Sequence, residues 1–149
     1  MPSSAPDPAR SPQPVPRKRA DAQRNRQRVL DVAARVFLRD GEEVSMNQIA
    51  REAGVGAATL FRHFPTREAL IEATFRNELA RICEAAPELA AARPPREATT
   101  EWMEQFLEYM TTKHGMVDTL QAMMTTGSPL YEETLGRLTD AVQIGRVHV

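Results

Sequence analysis

Three helix breakers constrain this chain more than any other feature. Gly41, Gly54 and Pro65 divide the stretch from about residue 21 to residue 71 into one long segment and two short ones, followed by the start of a fourth. Within the segments apolar residues recur at spacings of three and four, the period of a helix with one buried face. Val29, Leu30, Ala33, Ala34, Val36 and Phe37 form the stripe of a first helix, expected from about Asp21 to Asp40. Gly41 suits the position just past its end, where the backbone turns left-handed. Met46, Ile49, Ala50 and Ala53 stripe a second helix that ends at Gly54-Val55. Leu60 and Phe64, four apart, mark a third, from Gly56 or Ala57 to His63. Pro65 stops it, because proline lacks an amide and disfavours helical geometry in the residue before it.

The caps agree with these boundaries. Ser45-Met46-Asn47-Gln48 reads as a capping box: the Ser45 oxygen takes the third amide and Gln48 reaches back to the cap amide. Thr66 is the expected N-cap of a fourth helix. Its stripe of Leu70, Ile71, Phe75, Leu79 and Ile82 runs to about Ala86. Residues 87–97, with Pro87, Pro94 and Pro95, read as a linker. Three more helices are expected over about 98–113, 116–126 and 129–143, separated by Gly115 and Gly127. Pro129 suits a first helical position. With aromatics at 5% and Ala, Arg, Glu and Leu abundant, the chain reads as all-α.

Six of the eleven prolines lie in residues 1–16. Residues 1–20 therefore read as a disordered, Pro-rich basic arm ending in Arg17, Lys18 and Arg19. Arg24, Arg26 and Arg28 follow. The net charge of -1 hides an asymmetry: twelve Lys/Arg stand against seven Asp/Glu up to residue 67, and seven against thirteen thereafter. A basic front half and an acidic back half suggest that the front half meets a polyanion. The single cysteine, Cys83, excludes an internal disulfide framework and fits a reducing cytoplasm. No apolar run approaches the length of a membrane helix. His63, His114 and His148 lack metal-ligand spacing, and no phosphate loop or nucleophile elbow is present. No catalytic residue, metal or cofactor is expected.

The second and third helices form a helix-turn-helix, with small residues Ala50, Ala53 and Gly54 at the crossing. Such a unit sets its second helix in the major groove with its N-terminal residues on base edges. The face opposite Leu60 and Phe64 carries Gly56, Ala57, Ala58, Thr59 and Arg62. Small residues let the backbone approach, Thr touches a thymine methyl or donates, and Arg takes guanine bidentately. The helix starts at Ser45 and Thr66 offer amides to phosphates, and Arg67 adds charge.

The stretches Val29-Leu30-Asp31-Val32-Ala33-Ala34-Arg35-Val36-Phe37, Ile49-Ala50-Arg51-Glu52-Ala53-Gly54-Val55 and Thr59-Leu60-Phe61-Arg62-His63-Phe64-Pro65-Thr66-Arg67-Glu68-Ala69-Leu70 resemble the DNA-binding domain of TetR-family bacterial transcriptional regulators. The resemblance covers roughly residues 24–71. It implies a three-helix DNA-binding domain over 21–70, then a helical effector and dimerisation domain, here partial, over 71–149. It implies a homodimer on a palindromic double-stranded operator, most often a repressor released when a small effector moves the fourth helix. It places Ser45 and Asn47 at the DNA backbone, Gly56, Ala57, Ala58 and Thr59 near base edges, and Phe61, His63 and Arg67 at phosphates. Phe61 stands where the family commonly has Tyr, which removes a phenol–phosphate bond. The family also often has a polar residue where Gly56 stands and Lys or a similar residue near Ala57, so readout rests on Thr59, Arg62 and the basic arm Arg17, Lys18 and Arg19.

The back half is rich in Met and aromatic residues. Trp102, Phe106, Met110, Met123 and Tyr131 are the candidates for an effector pocket, since Met adapts to irregular apolar shapes and Trp and Tyr add polar handles. Ordinary helix–helix core is the competing reading of the same pattern. The helical pattern is expected to end near Gln143, short of the long helices that pair relatives into dimers. The expectation is a truncated chain whose dimerisation is in doubt, binding DNA weakly with an apolar patch exposed. The rival functional reading is an interaction or ligand-binding remnant that pairs with an intact relative without controlling DNA itself.

Overall fold

A computed structural model describes residues 15–147. Among the described residues there are seven helices and no strand: α1 (Val15–Asp40), α2 (Met46–Ala53), α3 (Ala57–His63), α4 (Arg67–Ala92), α5 (Pro95–His114), α6 (Val117–Thr125) and α7 (Leu130–Val147). None of these helices is long and apolar enough to cross a membrane.

The expected stripes become the core. Val29, Leu30, Ala33, Val36 and Phe37 of α1 pack with Met46, Ile49, Ala50 and Ala53 of α2 and with Leu60 of α3. Leu70, Ile71, Phe75, Leu79 and Ile82 of α4 close the bundle and carry the same core onward to Tyr109, Met116, Leu120 and Leu130. The long α4 thus belongs to both halves, packing against α1 on one side and against α5, α6 and α7 on the other. Arg76 of α4 bonds Glu72 one turn back and Glu133 of α7, fixing the two helices in register.

Helix ends follow the caps. Ser45 Oγ accepts from the Gln48 amide at 3.1 Å, and Thr66 Oγ1 accepts from the Ala69 amide at 3.1 Å. Gly41 and Gly54 both turn left-handed, with φ of 80° and 69°. Gln48 departs from the expected box. Its side-chain amide donates to Asp40, because the end of α1 places that carboxylate 3.1 Å away. Pro129 precedes α7 rather than opening it, and the Leu130 amide finds Ser128 Oγ at 3.3 Å.

Four boundaries correct the sequence reading. α1 starts at Val15, not near Asp21, so residues 15–20 are helical and only residues 1–14 of the expected arm lie outside the described residues. Pro16 falls in the first turn, where its missing amide costs nothing, and Arg, Lys and Ala propagate well after it. α4 runs through Pro87 to Ala92, which shrinks the expected linker to Arg93 and Pro94. An internal proline costs about 3 kcal/mol, but packing of α4 on α5 and α7 outweighs it. One turn before the proline, the Trp102 indole donates to the Ile82 carbonyl at 2.9 Å. α5 therefore opens at Pro95, and α7 continues past Gln143 to Val147.

Candidate nucleic-acid interface

α3 is seven residues long and sits across the end of α2 through the left-handed turn at Gly54. Leu60 is fully buried and Phe64 is 2% exposed, which fixes the roll of α3. Gly56, Ala57, Ala58 and Arg62 are turned to solvent, and Thr59 is half-buried. Arg62 donates to Thr59 Oγ1 at 3.4 Å, so the two side chains meet on one face one turn apart. A Cβ on Gly56 would lie 3.9 Å from Thr59 Oγ1, ordinary contact, so this glycine is not required for space.

Around α3 the chain ends several elements. Ser45 and Asn47 are exposed at the start of α2, and Thr66 is exposed at the start of α4. The first amides of these helices have no intrahelical acceptor, which gives both starts partial positive charge. Phe61 is 44% exposed, an apolar ring on the surface with no polar atom to offer. His63 and Arg67 are half-buried. Arg67 is partly engaged: its guanidinium donates to the Glu42 carbonyl in the turn between α1 and α2. It therefore secures the start of α4 while keeping other donors.

Two carboxylates at the junction of α1 and α2 are ion-paired. Arg39 bonds both Asp40 and Glu52, joining α1 to α2. The guanidinium beside it holds the Asp40 carboxyl below its usual range. α3 itself carries no acidic residue and ends on Arg62 and His63. α3 itself thus carries only cationic charge, while Glu43 and Glu68 are exposed carboxylates close to the starts of α2 and α4.

Sequence reasoning did not single out one neighbour of this surface. The Arg26 guanidinium carbon lies 4.9 Å from the centre of the Phe64 ring, at the end of α3. The available signal was its place four residues before Leu30, on the line of the α1 stripe.

Comparisons with known proteins bear on this arrangement directly. The model of the tetR family of bacterial regulatory proteins matches residues 29–74, the span from the α1 stripe into α4. A TetR transcriptional regulator from Streptomyces coelicolor superposes with a TM-score of 0.73 at 45% identity, over 80% of this chain and 69% of that one. The chain belongs to the TetR family. A TetR transcription regulatory protein from Mycobacterium vanbaalenii gives a TM-score of 0.65 at 39% identity, over 85% of this chain and 80% of that one. An HTH-type transcriptional regulator of Staphylococcus aureus (strain USA300) is 42% identical over 62 residues, 41% of this chain. The matched stretch is 34% of that relative, so the chain spans about a third of the length of the curated relatives it matches.

The pocket candidates named from the sequence lie on α5, α6 and α7. An apolar groove of about 590 Å³ lies between the end of α4, the start of α5 and the end of α7, lined by Ala86, Ala98, Trp102, Met103 and Val142 among others. A second groove of about 480 Å³ adjoins it along Phe106 and Leu138. Trp102 and Phe106 stack at 5.6 Å; Trp102 lines both grooves and Phe106 the second. Met110, Met123 and Tyr131 do not line them: Tyr131 is 58% exposed on the first turn of α7, and Met123 packs against the core. Trp102 spends its only donor on Ile82, so it offers the groove an apolar face.

Proposed function

We propose that the chain is a sequence-specific DNA-binding transcriptional regulator, acting as a homodimer on a palindromic operator and released as a repressor by a small effector. One observation carries the reading. Leu60 and Phe64 lock α3 in a roll that leaves Ala57, Ala58 and the Thr59–Arg62 pair facing outward on a helix that carries no acidic residue. An Arg–Thr pair on a helix of this width is the chemistry that reads base edges in a major groove. Ser45, Asn47, His63 and Arg67 hold the backbone on either side, and cationic residues near the start of α1 add counterion release. The apolar grooves along Trp102 and Phe106 favour an uncharged, largely apolar effector. A cytoplasmic location goes with this role.

A nuclease footprint on the DNA upstream of the chain's own gene tests the reading. Two protected half-sites related by a dyad are expected. A folded chain that protects nothing at low salt contradicts it. That outcome favours the rival reading, a remnant that pairs with an intact relative. The rival draws support from exposed apolar side chains on α5 and α7, among them Leu107 at 62%, Leu135 at 55% and Val142 at 53%.

A further inference from the structure

α1 is longer than its packing requires. Its buried stripe begins at Val29, yet the helix starts at Val15, four turns earlier in approximate terms. Residues seven apart on a helix share a face to within about 20°. Arg19, Arg26 and Ala33 form such a series, and Leu30 and Phe37 lie beside it. The face that is buried at Ala33 and Phe37 is therefore continued towards the N-terminus by Arg26 and Arg19. Arg17, Arg24 and Arg28 fall on the opposite face at about 100° per residue.

This phase has a structural anchor. Arg26 stacks on Phe64, which ends α3, with His63 before it and the Thr66 cap of α4 two residues after it. The inner face of the first half of α1 thus runs out over the junction of α3 and α4. Among the described residues neither Arg19 nor Arg26 has a carboxylate within ion-pair reach, whereas Arg24 is paired with Asp21 on the other face. Arg19 and Arg26 are about 10 Å apart along the axis. Phe64 holds the Arg26 guanidinium in place by a cation–π contact without consuming its hydrogen-bond donors.

We infer that Arg19 and Arg26 form a second backbone clamp, binding DNA phosphates on the flank of the site that α3 reads. Arg17, Arg24 and Arg28 take no part. The inference rests on the DNA-binding reading and assigns the arm's contribution to one helix face rather than to its total charge.

The test is the salt dependence of binding by the full chain to its upstream DNA, for wild type, Arg19→Gln, Arg26→Gln and Arg28→Gln. Each phosphate contact contributes about 0.9 to the slope of log K against log salt. Arg19→Gln and Arg26→Gln are each expected to lower the slope by about that amount, with Arg28→Gln unchanged. Arg19 is exposed, so it carries the test if Arg26→Gln fails to fold. Wild-type binding with a slope that Arg19→Gln leaves untouched overturns the inference alone, as does an equal loss in Arg28→Gln. A wild-type chain that shifts no DNA at any salt overturns the DNA-binding reading, and this clamp with it.

Discussion

Glu42 and Thr119, 77 positions apart, are joined by a hydrogen bond of 3.0 Å from the Thr119 amide to the Glu42 carboxylate. α6 begins at Val117 with Met116 as a cap that makes no side-chain bond. A carboxylate from the turn between α1 and α2 therefore supplies the acceptor and the negative charge that the start of α6 lacks. The same residue's carbonyl takes Arg67 at the start of α4. The turn between α1 and α2 is thus tied to the first turns of two helices. Glu42→Ala is expected to cost about 1–2 kcal/mol in urea unfolding, and Glu42→Gln a few tenths. Equal losses in the two variants would show that the charge carries the contact and that an acceptor without it contributes nothing.

Gly115 tests the same junction by packing. A Cβ there would lie 2.6 Å from the Phe37 carbonyl oxygen and 2.9 Å from its carbon. Its φ of -67° is open to any residue, so the glycine is required for space. Gly115→Ala forces two backbones apart, with an expected loss of about 1–3 kcal/mol. Gly136, inside α7 with nothing within 4 Å, is the control. Gly136→Ala is expected to stabilise by about 0.5–1 kcal/mol through helix propensity. Thermal unfolding of both variants distinguishes the two effects by sign.

Tyr109 is 3% exposed, and its hydroxyl has no hydrogen-bond partner. Burial pushes the phenol up to about 12. The ring is held by Phe75 at 5.9 Å and Phe106 at 6.0 Å, contacts that a phenylalanine keeps. Tyr109→Phe should leave stability unchanged or raise it by up to about 1 kcal/mol, since an unpaired buried hydroxyl is a net cost. A clear loss in chemical unfolding would contradict the orphaned hydroxyl.

Glu78 supplies a pH dependence. Burial raises its carboxyl above the ordinary 4.5, and the pull of Arg81 does not offset this. The charged form is thus disfavoured in the folded state. Stability is greatest where the group is neutral, and falls as pH rises from the ordinary value through the raised folded one. Glu78→Gln should raise the melting temperature at pH 7, with the gain gone below pH 4.5. A gain of equal size at both pH values would place its cause outside this titration.

Leu60 and Phe64 made α3 legible, because Pro65 forces an end and the spacing of four admits only one roll. Pro87 and Pro16 misled for one reason. The local cost of proline is real, but Pro16 falls where no amide is needed, and α4 is held through Pro87 by helices that are distant in sequence. α5 hid its inner face: Trp102, Met103, Phe106, Leu107, Tyr109 and Met110 are apolar on adjoining sides. Only the neighbouring helices decide that Tyr109 is buried while Leu107 is 62% exposed. Glu42 was invisible, since a charged residue in a turn carries no sign of a partner 77 positions away.

The central claim is that α3 reads bases through the Thr59–Arg62 pair. Its most direct test is the affinity of Arg62→Ala for the footprinted site and for single-base variants of that site. A loss of about 1–3 kcal/mol is expected on the native site, with discrimination relaxed at one position per half-site and retained elsewhere. An even loss across all variants, with discrimination intact everywhere, would contradict the claim and reduce Arg62 to a backbone contact.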